Sequence, residues 1–211
     1  LGDQVGYGAF PDEVVSLIAR SANRAVIGNY DRKVLKIEKK SQKWRDKKNP
    51  IKLFAFEWAH SQLSRRNRRR LGNLPKTCEF ELEGYRINLS HKGPRIDKKP
   101  LKPGRGRKKF ARAANDDDRD IYVFGHTHIP YARKVENTWF INPGSVGRPD
   151  DGDRRASYAM LILENGTASV HHFRITYDVE RAVQKAQECK LPEEFARMLL
   201  EGRSLDDLEK H

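Results

Sequence analysis

The sequence contains few cysteines, no long apolar run and no excess of acidic residues. Its two cysteines, Cys78 and Cys189, lie far apart and form no CxxC pair, which argues against a disulfide framework and against a thiolate zinc site. A reducing, cytoplasmic setting is therefore expected. No segment approaches the roughly 20 apolar residues that span a bilayer, so no membrane partner is expected. The opening LGDQVGYGAF also lacks the basic start and apolar centre of a secretory signal.

Basic residues are abundant and unevenly placed. The chain has 42 Lys and Arg against 29 acids, a net charge of +13. Residues 32–70 hold 15 cations and three acids, and residues 92–112 hold 10 cations and one acid. Such clusters attract phosphate-bearing partners, including nucleic acid, although a solvated surface explains the second block equally well. Because that block also carries prolines and glycines, a flexible excursion is expected at about 95–115.

The 211 residues suit one domain, residues 1–211, in which helices and strands are intermixed. Helical patterns cover 11–22, 57–75 and the tail from 178, which breaks at Leu191-Pro192. Strand patterns cover 24–31, 80–91, 120–128, 138–147 and 156–177, with turns at Glu83-Gly84 and Asn165-Gly166. An α/β (α+β) sandwich is the expected fold class.

Polar side chains with metal-binding chemistry follow several of these strands. They are Asp3, Asn29, Asp31, His91, His126 and His128. In an extended segment alternate side chains point to the same side, so His126 and His128 can reach one point. Each motif is weak alone, since a single histidine is more often an ordinary polar residue. Together they suit two divalent ions such as Mn²⁺, Fe²⁺, Zn²⁺ or Ni²⁺, with Asp3 as the candidate bridging carboxylate.

The order GD, GNYD, H and GHTH resembles the calcineurin-like metallophosphoesterase superfamily, and most closely its bacterial single-domain, phosphodiesterase-type branch. The resemblance implies a four-layer αββα sandwich with a dinuclear metal centre above the strand ends. It implies that Asp3 bridges the two ions and that His128 binds the first. It also implies that Asn29, His91 and His126 bind the second.

Three departures from the family pattern bear on activity. The DxH motif of the family would precede residue 1, so the first strand is apparently missing and the first ion retains only Asp3 and His128. Tyr30 stands where phosphatases of the family have histidine, which favours diesters; it either hydrogen-bonds a phosphate oxygen or packs as an aromatic. Lys92, in HKGP, would add positive charge beside the substrate phosphate.

The expected activity is hydrolysis of a phosphate ester, preferably a diester, by water activated between two metal ions, with Mn²⁺ favoured. Asp31 is expected to orient a ligand or Tyr30, although a turn cap is an equal alternative. Asn142, in NPGSVG, either holds the histidine-bearing strands or completes a structural turn. Two rival functions stay open. One is a non-catalytic scaffold or a module that binds phosphate or nucleic acid; the other is a phosphomonoesterase or protein phosphatase.

Overall fold

The computed structural model describes residues 1–45, 47–94, 100–115 and 118–209. The helices are α1 (Pro11–Ser21), α2 (Asn29–Arg45), α3 (Pro50–Gln62), α4 (Arg65–Gly72), α5 (Arg107–Asn115), α6 (Val179–Glu188), α7 (Glu193–Glu201) and α8 (Leu205–Leu208). The strands are β1 (Thr77–Leu82), β2 (Tyr85–Ser90), β3 (Ile121–Phe124), β4 (Tyr131–Val135), β5 (Thr138–Asn142), β6 (Ala156–Glu164) and β7 (Thr167–Ile175). None of the described helices has the length and apolarity that crossing a membrane requires.

Two sheets stack face to face. The larger sheet has the order β1-β2-β3-β5-β4, in which β2, β3 and β5 run parallel and the edge strands β1 and β4 run antiparallel to their neighbours. Strands β6 and β7 form the second sheet, an antiparallel hairpin. Ile87, Ile121 and Ile141 of the larger sheet are buried against Leu161 and Val170 of the hairpin. The predicted α/β fold, with sheets flanked by helices, is confirmed.

Most of the predicted elements form where the sequence places them. The helix predicted over 11–22 is α1, with Pro11 in its first turn, where a missing N–H costs nothing. Both predicted hairpin turns have consecutive residues with positive φ. Glu83 and Gly84 have φ values of 49° and 76°, and Asn165 and Gly166 have values of 51° and 70°, as a tight two-residue β-turn requires.

The strand predicted over 24–31 is wrong. Residues 25–28 pair with no strand in the described part of the chain, although Ile27 donates its N–H to the carbonyl of Pro75. Helix α2 instead begins at Asn29, because the Asp3 carboxylate, brought in from the chain start, accepts the Tyr30 N–H at 2.7 Å. A carboxylate in this position satisfies an orphan donor of the first turn and complements the helix dipole.

Of the excursion predicted at about 95–115, residues 95–99 lie outside the described residues, and its second half forms helix α5. Helix α5 packs on the outer face of the larger sheet, where the fully buried Phe110 ring lies 5.2 Å from that of Phe140. The guanidinium of Arg133 covers Phe110 and donates to the carbonyls of Arg105 and Pro103. Apolar side chains at 110 and 113 therefore anchor a segment whose cations point outward.

Candidate metal centre

Parallel pairing of β2 and β3 brings the three predicted histidines to one edge of the larger sheet. His91 follows the last residue of β2, and His126 and His128 lie just beyond β3. The carbonyl of His91 accepts the N–H groups of both Gly125 and His126, at 3.1 and 3.0 Å. These bonds hold the His126 Nδ1 at 3.2 Å from the His91 Nε2.

Asp3 and Asn29 reach the same edge because the loops that carry them cross in close backbone contact at Gly2 and Gly28. A Cβ on Gly28 would lie 2.0 Å from the backbone nitrogen of Asp3, and one on Gly2 would lie 2.5 Å from the nitrogen of Gly28. Only glycine permits so close an approach at these positions. The crossing leaves the Asn29 Oδ1 at 2.9 Å from the His91 Nε2.

All five predicted metal ligands therefore meet in one place. The Asp3 Oδ2 lies 3.2 Å from the His91 Nε2 and 3.9 Å from the His128 Nε2. The two carboxylate oxygens of Asp3 have separate partners, since Oδ1 accepts the Tyr30 N–H. Asp3 sits between the second-ion group (Asn29, His91, His126) and His128, as a bridging carboxylate would.

Burial and neighbouring groups set the charges of these side chains. Burial alone would raise the pKa of Asp3, but hydrogen bonds from His128 and His91 lower it well below its usual value. Burial, reinforced by the charges of His91 and Lys92, lowers the pKa of His126 to about 4. Near neutral pH the site thus contains an ionised carboxylate and a neutral imidazole, the forms that bind metal ions.

Backbone carbonyls orient two of the imidazoles. The His91 Nδ1 lies 2.9 Å from the carbonyl oxygen of Leu1, and the His128 Nδ1 lies 2.9 Å from that of Arg148. Each contact leaves the Nε2 directed at Asp3. Histidines that bind metals generally donate their second ring N–H in this way.

Asn142 holds the turn that carries His126. Its side-chain amide is fully buried and donates to the Gly125 carbonyl at 2.7 Å and to the Thr127 hydroxyl at 3.0 Å. Its Oδ1 accepts the N–H of Gly144 at 2.9 Å. Of the two interpretations of Asn142, the structure favours support of the histidine-bearing segment.

The two residues predicted to be catalytic lie at different depths. Asp31 is fully buried and accepts N–H groups from Gly28 and Val5, at 2.8 and 3.1 Å. Burial, together with the charge of Asp3, raises its pKa to about 6. Asp31 thus joins the loops that present Asp3 and Asn29, and lies beneath the site rather than in it.

Tyr30 lines the cavity beside the site and also packs as an aromatic. Its ring lies 5.5 Å from that of Tyr7 and 5.6 Å from that of Phe56, with the Lys33 ammonium 4.8 Å from its centre. Lys92, the predicted substrate-binding residue, directly follows His91 and is exposed. Its charge reaches the site, because it contributes to the lowered pKa of His126.

Sequence reasoning missed Tyr7 and Arg148, which line the same cavity of about 540 Å³ as Asp3, Tyr30 and His128. Arg148 directly follows the NPGSVG segment that begins at Asn142. No local pattern distinguishes this arginine from the many others in the chain, so its position depends on the path of the loop.

Comparison with known proteins settles the family. Residues 1–166 match the model of the calcineurin-like phosphoesterase superfamily domain. The chain belongs to this superfamily. It is 31% identical to an uncharacterized protein of Methanocaldococcus jannaschii, over 96% of this chain and 85% of that protein. A crystal structure of a metallophosphoesterase from Sphaerobacter thermophilus is similar, with 29% identity and a TM-score of 0.72, over 96% of this chain and 86% of that one.

A shorter match links the chain to phosphodiesterase YfcE of Escherichia coli, with 43% identity over 54 residues. That match covers 26% of this chain and 28% of YfcE. The calcineurin-like phosphoesterases are thus related to this chain both across most of its length and through a short, more strongly similar segment.

Members of this superfamily generally use two divalent metal ions, and the donor set here fits them. Among the described residues, no three His, Cys, Asp or Glu side chains are arranged to hold an ion as they stand; the donors are hydrogen-bonded to one another instead. Neighbouring ligands of an ion bound at about 2.1 Å lie about 3 Å apart. The His91 Nε2 lies 3.2 Å from both the Asp3 Oδ2 and the His126 Nδ1, close to this value, whereas the His128 Nε2 lies 3.9 Å from the Asp3 Oδ2; to hold an ion, the donors would exchange their mutual hydrogen bonds for it.

Proposed function

We propose that this protein hydrolyses phosphate esters, diesters in preference to monoesters, with two divalent metal ions. The observation that carries the proposal is the meeting of five donors at one sheet edge: the His91 Nε2 lies 2.9–3.2 Å from Asp3, Asn29 and His126, and the His128 Nε2 lies 3.9 Å from the Asp3 Oδ2. Chance does not bring a carboxylate, an amide oxygen and three imidazoles from four separate segments to one buried point.

Each of these residues has a defined part in the proposed site. Asn29, His91 and His126 would hold one ion, His128 would hold the other, and Asp3 would contribute to both. Bound divalent ions acidify water and offset the charge that develops on a phosphate in the transition state. We favour Mn²⁺ among Mn²⁺, Fe²⁺, Zn²⁺ and Ni²⁺, all of which a mixed set of oxygen and imidazole donors accepts. Lys92 adds positive charge at the mouth of the site.

Tyr30 supports the preference for diesters. Family members that act as phosphatases have a histidine at this position, whereas Tyr30 packs between Tyr7 and Phe56. Its hydroxyl can donate a hydrogen bond to a phosphate oxygen, but with an ordinary pKa near 10 a tyrosine is a weak acid for a leaving alkoxide. The phosphodiesterase name of the similar protein YfcE agrees with this preference.

The test is turnover of bis-p-nitrophenyl phosphate with added Mn²⁺. The His126→Ala variant should lose at least about 100-fold in kcat/KM. The His171→Ala variant is the matched control, because His171 is exposed on β7 and should leave the rate unchanged. Equal rates in the two variants, or no turnover by the wild-type protein with Mn²⁺, Fe²⁺, Zn²⁺ or Ni²⁺, would contradict the proposal and favour the binding-module alternative.

A variant of Tyr30 tests the preference for diesters over monoesters. Tyr30→His should raise the rate on p-nitrophenyl phosphate relative to the rate on its bis ester. An unchanged ratio would remove Tyr30 from the explanation of diester preference.

Nucleic acid is the diester-bearing substrate class that the charge distribution favours. Helix α2 begins at Asn29 in the site, and its exposed face carries the cations Arg32, Lys36, Lys40 and Lys43. Within the described residues, none of these four forms an ion pair with a carboxylate. At 1.5 Å per residue they form a row about 16 Å long, which starts one turn from the proposed metal ligands.

This substrate class is tested by binding of a single-stranded oligonucleotide at several salt concentrations. Four phosphate contacts predict a slope of log affinity against log salt of about −3. Changing Lys36, Lys40 and Lys43 together to Gln should weaken the slope by about 2. The same change at Lys76, Lys190 and Arg203, which are exposed outside α2, is the control. Equal slopes in both triple variants would exclude nucleic-acid binding by the cations of α2, which belong to the basic segment 32–70.

The cytoplasmic location expected from the free thiols of Cys78 and Cys189 stays a prediction.

A further inference from the structure

Arg148 presents a half-buried guanidinium to the cavity that Asp3, His91 and His128 line. Its side chain is 16% exposed, and the guanidinium carbon lies 5.6 Å from the ring centre of Tyr7 and 5.4 Å from that of Tyr30. The Nη2 donates to the Asp150 Oδ2 at 2.8 Å, and the Arg148 backbone N–H donates to the hydroxyl of Ser145 at 3.0 Å. Aromatic faces, a carboxylate and a backbone bond thus hold this arginine in place.

The guanidinium of Arg148 and the backbone carbonyl of Arg148 both contact the same nitrogen of His128. The Arg148 Nη2 and Nε lie 2.9 and 3.1 Å from the His128 Nδ1, and the carbonyl oxygen of Arg148 lies 2.9 Å from the same nitrogen. An imidazole nitrogen carries either a proton or a lone pair. The His128 Nδ1 can therefore donate to the carbonyl or accept from the guanidinium, but it cannot do both.

Metal binding decides between these two states. When the His128 Nε2 binds an ion, the ring proton is on Nδ1 and is donated to the Arg148 carbonyl. The Nε and Nη2 groups of Arg148 then lose the acceptor that His128 supplied. A charged donor that is largely shielded from water and lacks an acceptor destabilises the protein. Asp150 meets part of this demand through Oδ2; its Oδ1 is buried and, among the described residues, has no hydrogen-bond partner, so it is the protein acceptor that a phosphate oxygen would have to outcompete.

An anionic oxygen in the cavity would satisfy these donors. We propose that Arg148 binds two non-bridging oxygens of the substrate phosphate, and that metal binding at His128 releases the guanidinium for this contact. The planar fork of an arginine matches a phosphate group through two parallel hydrogen bonds. The proposal rests on the proposed function, because it names the residue that recognises the phosphate of the same substrate. It makes Arg148 a specificity residue for groups with two free phosphate oxygens.

The test measures binding of inorganic phosphate by calorimetry, to the full chain with and without stoichiometric Mn²⁺. Wild-type protein should bind phosphate more tightly with Mn²⁺. The Arg148→Gln variant should bind phosphate roughly 10- to 100-fold more weakly in the presence of Mn²⁺, the loss expected for charge-assisted hydrogen bonds. Arg154→Gln is the matched control, because Arg154 is in the same loop and its side chain is 49% exposed. Its phosphate affinity should stay within twofold of wild type.

A second variant separates recognition from support of the fold. Arg148→Lys keeps the charge between Tyr7 and Tyr30 but loses the fork, and should weaken phosphate binding about fivefold with little change in Mn²⁺ affinity. Wild-type phosphate affinity in Arg148→Lys would overturn the assignment. Equal losses of Mn²⁺ and phosphate affinity in Arg148→Gln would also overturn it, because they would mean that Arg148 only positions His128. Phosphate binding without ester turnover would refute the proposed function alone, whereas wild-type protein that binds no phosphate would refute the role of Arg148.

Discussion

Removal of the Asn142 side chain is the most direct test of how the fold supports the site. In Asn142→Ala the partly buried N–H of Gly144 loses its acceptor, and the buried Gly125 carbonyl and Thr127 hydroxyl each lose a donor. The unpaired Gly144 N–H alone costs about 1–3 kcal/mol. The Gly125 carbonyl keeps one partner, because the His128 N–H also reaches it at 3.0 Å. The total loss should be about 2–4 kcal/mol.

Urea unfolding of the metal-free protein measures this loss. The midpoint should fall while the dependence on urea concentration stays the same, which indicates a change in stability alone. Asn137→Ala is the control, because Asn137 is exposed in the turn between β4 and β5 and should change stability by less than about 0.5 kcal/mol.

The same variant should bind metal more weakly. Loss of the bonds from Asn142 frees the turn that carries His126, and partners that orient a ligand typically contribute 10- to 100-fold in metal affinity. A Mn²⁺ titration of Asn142→Ala and Asn137→Ala measures this effect. Two results would refute the reasoning: equal stability of the two variants, or a destabilised Asn142→Ala whose Mn²⁺ affinity matches that of the control.

Two further predictions follow from the crossing loops and from the charge state of the site. Gly28→Ala should destabilise the protein by more than about 3 kcal/mol, since its Cβ would lie 2.0 Å from the Asp3 nitrogen. Gly8→Ala is the control and should not destabilise the protein, because there is open space around Gly8. Similar urea midpoints for the two variants would contradict this prediction. Because burial lowers the pKa of His126 from 6.5 to about 4, the unfolded chain binds a proton that the folded protein does not, and stability is lost as pH falls from 6.5 to 4. Allowing for partial solvent exposure, the loss is about 2 kcal/mol. Asp31, whose pKa is raised, has the opposite effect and stabilises the fold as pH falls toward 4. The measurement is therefore the difference in unfolding free energy between wild type and His126→Asn at each pH. A difference that stays constant between pH 7 and 4 would exclude the His126 contribution.

The strand-end histidines were predictable because they depend on local pattern and simple sheet geometry. The apolar runs before His91 and before His126 predict strands, and parallel pairing of β2 and β3 then brings the ends of those strands together. Asp3 and Asn29 were found through their order along the chain and the family resemblance. The strand assigned before Asn29 did not form, yet Asn29 reaches the site from the start of α2.

Other features depend on contacts between distant segments and carry no local signal. The start of α2 depends on Asp3, which lies 27 positions from Tyr30. The packing of α5 depends on Phe140 and Arg133, which belong to the β4–β5 hairpin. Arg148 reaches His128 because of the path of its loop, and the sequence contains many other arginines. Pattern analysis and the family resemblance therefore recovered most elements and brought the predicted metal ligands together, but they did not find the residues that cap, cover or face them.

The Asp3 carboxylate has a further consequence for mutational studies of this family. One of its oxygens starts α2, while the other faces the imidazoles. A loss of activity in Asp3→Ala would therefore have two causes that cannot be separated: the loss of the acceptor at the start of α2 and the loss of the carboxylate that faces the imidazoles. Asp3→Asn, which retains an oxygen for the Tyr30 N–H, would keep the helix start intact and isolate the loss of negative charge beside His91 and His128.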